Sequence, residues 1–358
     1  MLCIMSAHVK VMPSGHEFSV EGSETLLKAA LRAGLTPNYG CGTGICGSCK
    51  ARVVAGAVCA TAPSDYRFSE ADKARNHVLM CVSTACSSEL ALELLEARAP
   101  EDIPEQHITA RVRSVEALSD EVIRLHLQTS RSNRLRFLAG RRAALGILTG
   151  VASEADVYTE YPLASCPCDG RNLAFHIART GRRAARVPRT DAGLQGPVTH
   201  SEGLPGAAAN DFRQCLFDGA IKAGDEIAVW GPWGRFVPEP DSVRPLVFIA
   251  IDEGFAPVNS LIEHAIAVNA AESMSLYWAS SQAGGHYLPN QCRAWAYALD
   301  EFSYETLAAD ALPAVLAANT ALAMSDVYLA GAAERVAALA AQLLAAGVPP
   351  GQLHVEAL

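Results

Sequence analysis

The sequence contains no long uninterrupted apolar run. No stretch of its 358 residues approaches the roughly 18 uncharged apolar residues that indicate a membrane-spanning helix. The N-terminal stretch MLCIMSAHVKVMPSG also lacks the basic start and apolar core of a signal peptide, since the first lysine is Lys10. We therefore expect a cytoplasmic protein with no membrane span.

The sequence also has fewer basic than acidic residues. The chain has 29 Lys and Arg against 38 Asp and Glu, which gives a formal net charge of −9 at pH 7. Nucleic-acid binding needs a basic surface because phosphate contacts dominate the affinity, so nucleic acid is not expected as a partner. There are no internal repeats and no low-complexity tract. Half of the residues are hydrophobic, which is enough to bury the cores of two or three domains.

Cysteine, by contrast, is abundant, with eleven residues. In a reducing cytosol a disulfide framework is not expected, and clustered cysteines more often bind metal or perform redox chemistry. Four of them follow the spacing Cys41-x4-Cys46-x2-Cys49, with 31 residues before Cys81. This spacing is typical of plant-type [2Fe–2S] domains. The other seven are expected to be mostly small buried apolar residues. They are Cys3, Cys59, Cys86, Cys166, Cys168, Cys215 and Cys292.

The glycines around these cysteines support a cluster site. Four thiolates must converge on two irons, and glycine permits the tight backbone turns that this requires. Glycine also lets amide N–H groups approach the sulfurs and tune the potential. A zinc site or four unrelated thiols are the alternatives, although zinc usually takes cysteines as two close doublets. The loop YGCGTGICGSCKARVVAG resembles the cluster loop of plant-type ferredoxins, and we predict Cys41, Cys46, Cys49 and Cys81 as the iron ligands.

The elements around the loop predict a mixed α/β domain over residues 1–98. The strand-like stretches HVKVMP and HEFSVEG precede a helix in SETLLKAALRAG, with Ser23 as its N-cap and Gly34 closing it. The strand KARVVAG follows the cysteine loop. The acidic, proline-containing residues 99–106 are interpreted as a linker.

The rest of the chain changes pattern twice. Residues 107–240 contain short strands separated by glycine and proline turns, which predicts a small antiparallel barrel, with an excursion over residues 181–211. Residues 241–358 alternate strands with helices, which predicts a doubly wound parallel sheet. The predicted fold class is therefore α/β multidomain: a plant-type ferredoxin β-grasp domain, an antiparallel β-barrel and a parallel α/β domain.

This order of domains resembles the ferredoxin–NADP reductase superfamily. It is most similar to three-domain reductases that serve bacterial oxygenases and deoxysugar dehydrases. The matching stretches are Tyr161–Ser165, His176–Arg179, Gly231–Gly234, Gly254–Pro257 and His354–Glu356. The resemblance implies that the barrel binds FAD and that the last domain binds NAD(P)H. It also implies electron transfer through the cluster to a separate acceptor protein, such as an oxygenase, a diiron hydroxylase or a dehydrase.

The resemblance also implies site residues. Tyr161 would lie against the flavin ring and Glu356 would place a carboxylate near it, so both are candidates for catalysis. The other flavin candidates are Pro162, Leu163, Ala164, Ser165, His176, Ile177 and Arg179. The nucleotide candidates are Gly254, Phe255, Ala256, Pro257 and Gly331.

Several cofactor positions depart from the family pattern. Thr159 replaces a phosphate-binding arginine, Arg141 and Arg142 replace Gln-Tyr, and the turn Ile251–Glu253 replaces Gly-Gly-Thr. Arg141, Arg142 or an arginine of residues 179–189 is a possible replacement phosphate partner. NADH is expected over NADPH, because residues 280–285 offer a 2′-phosphate no cation. The alternative function is a non-catalytic [2Fe–2S] electron-transfer or docking subunit.

Overall fold

The computed structural model describes residues 6–130, 133–148, 157–168, 171–179, 186–188, 211–240, 242–282 and 285–358, with backbone only at 157 and 186–188. Three principal sheets follow one another along the chain. The multidomain α/β class predicted from the sequence is confirmed, and most of the predicted excursion over 181–211 lies outside the described residues. Within the described part, no helix is both long and apolar enough to cross a bilayer.

The first sheet has the strand order β2-β1-β7-β3-β5. Its elements are β1 (Ser6–Met12), β2 (Glu17–Glu21), α1 (Leu26–Arg32), β3 (Lys50–Ala55), β4 (Val58–Ala60), α2 (Glu70–Ala74), β5 (His77–Leu79), β6 (Ser83–Ala85) and β7 (Glu89–Glu93). Helix α1 packs on this sheet through five buried residues, Leu26, Leu27, Ala29, Ala30 and Leu31. The cysteine loop connects α1 to β3, so a covered helix and a central strand fix both of its ends.

The predicted N-cap of α1 is wrong. Thr25, not Ser23, accepts the capping hydrogen bond, from the amide of Lys28 at 3.2 Å. The helix begins two residues later than its sequence pattern suggested because Glu24 still closes a turn on Glu21. Gly34 does end the helix with φ +76°. A Cβ there would also lie 2.4 Å from Cγ1 of Val268 in the last domain, so glycine is required for domain packing as well.

The second sheet closes into the predicted barrel. Its elements are β8 (Gln106–Ala117), β9 (Val122–Thr129), β10 (Arg142–Ile147), β11 (Val157–Pro162), β12 (Asn172–Ala178), β13 (Arg186–Pro188), α3 (Phe212–Phe217) and β14 (Glu226–Trp233). The strand order is β12-β9-β8-β14-β10-β11-β13. The chain just beyond β11 returns to β12, where the amide of Ala164 donates to the carbonyl of Ala174 at 2.8 Å.

The third sheet is parallel, as predicted, with the order β17-β16-β15-β18-β19. Its elements are β15 (Leu246–Ile251), α4 (Phe255–Val268), β16 (Met274–Ser280), α5 (Pro289–Ala298), β17 (Phe302–Ala308), α6 (Leu312–Ala318), β18 (Asp326–Gly331), α7 (Ala333–Ala345) and β19 (Leu353–Ala357). Strands β15 and β18 are buried throughout, as expected for central strands covered by helices on both faces.

The linker interpretation of residues 99–106 needs correction. Ile103 is buried with Ala97, Leu138 and Val237 in a small apolar cluster of its own. Arg141 donates to the carbonyl of Pro100 at 3.1 Å. The segment therefore packs against the barrel and is not a mobile linker. The domain boundaries at 98, 107 and 240 remain predictions, since the core of the last sheet also includes Ala139 and Phe236.

Candidate functional site

The four predicted ligand cysteines lie together as two pairs. The sulfurs of Cys49 and Cys81 are 3.2 Å apart. Cys41 and Cys46 exchange amide-to-sulfur hydrogen bonds of 3.3 and 3.4 Å. Among the described residues, no three His, Cys, Asp or Glu side chains converge as a single metal ion requires. Two thiol pairs suit a cluster of two irons, so these four residues would hold a [2Fe–2S] cluster.

Backbone amides supply the charge compensation at this loop. The sulfur of Cys41 accepts from the amides of Thr43, Ile45 and Cys46 at 3.4 to 3.5 Å. Burial opposes the thiolate, but hydrogen bonds from Thr43 and from these amides lower the pKa of Cys41 to about 6. At Gly47, with φ +76°, a Cβ would lie 2.1 Å from the Tyr66 ring. The loop can therefore adopt this tight path only with glycine at that position.

The cluster loop is anchored at its base and exposed at its tip. Arg136, ahead of β10, donates to the Asn38 side chain at 2.6 Å, and Arg134 lies over the ring of Tyr39. At the tip, Ile45 is 59% exposed and the neighbouring Cys46 is also exposed. The ferredoxin domain thus contacts the barrel next to its ligand loop, while the far side of the loop is open to an approaching protein.

The predicted flavin segment, which begins at the end of β11, makes most of its contacts within the protein itself. Tyr161 is buried in the barrel core, with its ring centroid 6.0 Å from that of Phe212, and Pro162 ends the strand. The amide of Leu163 donates to Arg141, and the carbonyl of Ala164 accepts from Asn259. The carbonyl of Ser165 accepts from Ser260 at 2.7 Å. The flavin role of these residues remains a prediction.

Three further flavin candidates diverge along β12. His176 faces the last domain, where its Nδ1 lies 3.4 Å from the hydroxyl of Tyr287. Burial lowers the pKa of His176 to about 3, so the ring is neutral and offers no charge to a phosphate. Ile177 lies in the barrel core. The guanidinium of Arg179 lies 4.4 Å from the centroid of the Phe217 ring. The structure does not bring these three side chains to one point.

A buried charge cluster that the sequence did not reveal lies where the barrel meets the last strand. Nε of Arg142 on β10 lies 3.0 Å from a carboxylate oxygen of Glu160 on β11 and 3.1 Å from one of Glu356 on β19. Burial raises the pKa of Glu356 to about 7, with Arg142 opposing the rise and Glu160 adding to it. Burial also raises the pKa of Glu160. Two carboxylates thus share one guanidinium, and the group is neutral only when it holds a proton.

One observation indicates that the protein face beside this cluster would suit a flavin. Trp233 on β14 pairs in register with Arg142, and Trp230 lies three residues before it. Both indole N–H groups are buried, and neither has an acceptor among the described residues. A buried donor without a partner is costly, and the flavin ring carries carbonyl oxygens and ring nitrogens that accept. Residues of β10 and β14 would therefore hold FAD here. Arg182, Arg183 and Arg189, possible phosphate partners, lie outside the described residues.

The predicted nucleotide turn is compact and acidic. Gly254 is required because a Cβ would lie 2.1 Å from the carbonyl of Ala330 on β18, and Gly331 similarly approaches Ile251. Asp252 has φ +51° and accepts from the amide and hydroxyl of Ser281 at 2.7 and 2.6 Å. Phe255 stacks on Trp278 at 3.7 Å, and Ala256 and Pro257 are buried in the first turn of α4. Any dinucleotide at this turn binds beside carboxylates.

The expectation that these cysteines form no disulfides is wrong at four positions. Cys59 is disulfide-bonded to Cys86, and Cys166 to Cys168. Cys292 is buried as expected, Cys215 is half-buried, and Cys3 lies outside the described residues. The close spacing of Cys166 and Cys168 was the available sequence signal. Cys59 and Cys86 meet only because β4 pairs with β6.

Replacement of one ligand tests the cluster assignment. Cys46→Ser removes one thiolate of the Cys41 pair, and we expect loss of the visible absorption and of the paramagnetic signal of the reduced protein. Cys215→Ser, in α3 and away from the loop, is the matched control and should keep both. Normal content of two irons and two sulfides in Cys46→Ser would show that the assignment is wrong.

Infrared titration tests the buried carboxyl. Because the pKa of Glu356 is raised to about 7, its carboxyl is protonated below that pH, and the stability this proton gives the folded state is lost as pH rises through 7. A protonated-carboxyl band should disappear between pH 6 and 8 (about one unit either side of this pKa) in the wild type and be absent from Glu356→Gln. Glu334→Gln, at an exposed position, should keep it. A wild type with no such band would contradict the assignment.

Comparisons with known proteins agree with this architecture. Residues 9–86 match the family model described as "2Fe-2S iron-sulfur cluster binding domain". The CDP-6-deoxy-L-threo-D-glycero-4-hexulose-3-dehydrase reductase of Yersinia pestis is 26% identical over 82% of this chain and 77% of its own. The propane 2-monooxygenase reductase component of Mycolicibacterium goodii is 24% identical over 98% and 97%.

A solved structure extends the likeness to the complete fold. The ferredoxin reductase in carbazole 1,9a-dioxygenase superposes with a TM-score of 0.51, at 22% identity over 98% of both chains. At that identity the superposition shows the fold alone. The cysteine loop, the closed barrel and the parallel sheet are consistent with these likenesses. Residues 9–86 thus match a [2Fe–2S] cluster binding domain, and the chain as a whole is similar to reductase components of dehydrase and monooxygenase systems.

Proposed function

We propose that this chain is an NAD(P)H-dependent iron–sulfur flavoprotein reductase that passes electrons through FAD and a [2Fe–2S] cluster to a separate acceptor protein. The observation that carries the proposal is the placement of the cysteine loop. Its base rests on the barrel through Arg136 and Asn38, and its tip at Ile45 and Cys46 is open. One chain therefore joins a redox loop to the body that would reduce it.

The cofactors supply the redox chemistry when bound: FAD divides a two-electron hydride transfer into single electrons, and the cluster carries them one at a time. The residues of this chain would position the cofactors and compensate the charge that reduction adds. The indole N–H groups of Trp230 and Trp233 are available as donors to ring acceptors. The Arg142, Glu160 and Glu356 cluster holds a proton near neutral pH. The amides around Cys41 stabilise thiolate charge.

The acceptor is proposed to dock over the exposed tip of the cluster loop. The relatives described above are named as the reductases of a dehydrase and of a monooxygenase. An oxygenase, a diiron hydroxylase or a dehydrase component would therefore suit this chain as acceptor. We also propose a cytoplasmic location, where NADH and such acceptors are available.

Anaerobic stopped-flow reduction tests the function. Protein loaded with FAD and cluster is mixed with NADH, and we expect flavin bleaching followed by the paramagnetic signal of a reduced cluster. NADPH should act more slowly, because Asp252 and the serines of residues 280–281 offer a 2′-phosphate no cation. A clear preference for NADPH would contradict the predicted selectivity for NADH. Purified protein that is brown, contains no flavin and takes up none would instead favour the non-catalytic docking subunit.

The acidic turn generates a separate prediction. Glu253 stands beside Asp252 at the start of α4 and is partly buried, and burial raises its pKa. A carboxylate close to a pyrophosphate costs on the order of a few kcal/mol at an effective dielectric near 20. We therefore expect Glu253→Thr to tighten NADH binding by on the order of tenfold to a hundredfold and to speed flavin reduction.

The control for this variant is Glu272→Thr, an exposed position just before β16 and away from the turn. It removes the same charge and should leave NADH affinity unchanged. If the wild type is reduced rapidly by micromolar NADH and Glu253→Thr binds no better, Glu253 points away from the dinucleotide. That result would not contradict the proposed function, because the function is tested separately by the paramagnetic signal of the reduced cluster.

A further inference from the structure

The two disulfides found among the described residues enclose loops of very different size. Cys59 and Cys86 are 27 residues apart and tie β4 to the end of β6. Cys166 and Cys168 are only two residues apart. The stabilisation that a cross-link gains by restricting the unfolded chain grows with the length of the closed loop. The Cys59–Cys86 bond therefore has a structural role, whereas the Cys166–Cys168 bond contributes little to stability and needs another explanation.

The short disulfide lies on a firmly held part of the backbone. The three residues that lead into it are bound by one face of α4: Asn259 donates to the carbonyl of Ala164, and Ser260 to that of Ser165, both at 2.7 Å. The amide of Cys166 donates to Glu263 at 3.0 Å. These contacts keep the Cys166 backbone in place whether or not the sulfur is bonded, so the two sulfurs stay close to each other after reduction.

The two sulfurs are not equivalent. Cys166 is buried, with 5% of its surface exposed, whereas Cys168 is only half-buried. The amide of Cys168 donates to the sulfur of Cys166 at 3.2 Å. Cys168 is therefore the more accessible of the two residues for an incoming thiolate, and the departing sulfur of Cys166 already has a hydrogen-bond donor that stabilises its negative charge. Exchange proceeds faster when the leaving thiolate is stabilised in this way.

We propose that Cys166 and Cys168 form a thiol–disulfide exchange site that reacts with a small thiol of the glutathione or dithiothreitol class. A thiolate attacks the sulfur of Cys168, the Cys166–Cys168 bond breaks, and Cys166 leaves as a thiolate that takes up a proton. A second thiol of the reductant displaces Cys168 and becomes oxidised to a disulfide. Two electrons and two protons thus enter the protein, and the pair is restored by glutathione disulfide in the reverse sequence.

The first experiment uses the internal comparison that the chain provides. The full-length protein is equilibrated in dithiothreitol buffers of graded oxidation, free thiols are trapped by alkylation, and each cysteine peptide is quantified by mass spectrometry. The equilibrium constant for reduction of the Cys166–Cys168 pair should exceed that of Cys59–Cys86 by on the order of tenfold or more. Equal constants for the two bonds would overturn the proposal. So would a Cys166–Cys168 pair that glutathione disulfide never oxidises.

A second experiment tests the direction of attack. Cys166→Ser leaves the more accessible Cys168 thiol, and Cys168→Ser leaves the buried Cys166 thiol. With glutathione disulfide, the Cys166→Ser protein should form its mixed disulfide at least about tenfold faster than the Cys168→Ser protein. Cys215→Ser is the control and should behave as the wild type. Equal rates, or a faster adduct at Cys166, would show that the exchange mechanism is wrong even if both variants fold.

Discussion

Three polar side chains on one face of α4 hold the catalytic half of this molecule together. Asn259, Ser260 and Glu263 bind consecutive backbone groups of residues 164–166, and Ser260 also accepts from the amide of Gly140 at 3.2 Å. A buried polar group left unpaired costs about 1 to 3 kcal/mol, so each of these contacts opposes separation of the barrel from the last domain. We call this interface, formed by Asn259, Ser260 and Glu263 with residues 164–166, the seam. The other contacts between the barrel and the last domain depend on it.

The seam explains how residues distant in sequence come to act together. With α4 fixed on the barrel, β19 brings Glu356 to Arg142, and Tyr287 reaches His176. These pairs join the last domain to strands of the barrel. The ferredoxin domain is attached differently, through the cation of Arg134 over Tyr39 and through Arg136 on Asn38. Gly34 of the same domain also packs against Val268 of the last domain, and Ala97 lies in a small apolar cluster with Leu138 and Val237, so the ferredoxin domain contacts both other domains.

The sequence predicted the features that depend on local pattern. The cysteine spacing predicted which four cysteines would lie together, and alternation of strands and helices predicted the parallel sheet. It did not reveal the Arg142 cluster, because Glu160 and Glu356 are almost 200 positions apart and neither departs from its strand pattern. The polar face of α4 was missed for a related reason. Asn259 and Glu263 look like an ordinary solvent-facing stripe until residues 164–166 are placed against them.

Electron transfer adds negative charge to a protein interior, and this chain meets that demand in two physically different ways. At the cysteine loop the compensation is fixed: backbone N–H groups point at the sulfurs and need no rearrangement. At the seam the compensation comes from protons that buried carboxyl groups can bind and release. Burial raises the pKa values of Glu160, Glu263 and Glu356, and Arg142 is the cation paired with two of them. A further negative charge placed there raises those pKa values again and draws in a proton. Proton uptake would thus accompany reduction of a flavin bound beside the Arg142 cluster, as proposed above, whereas an iron–sulfur cluster at the cysteine loop would be compensated by fixed backbone amides.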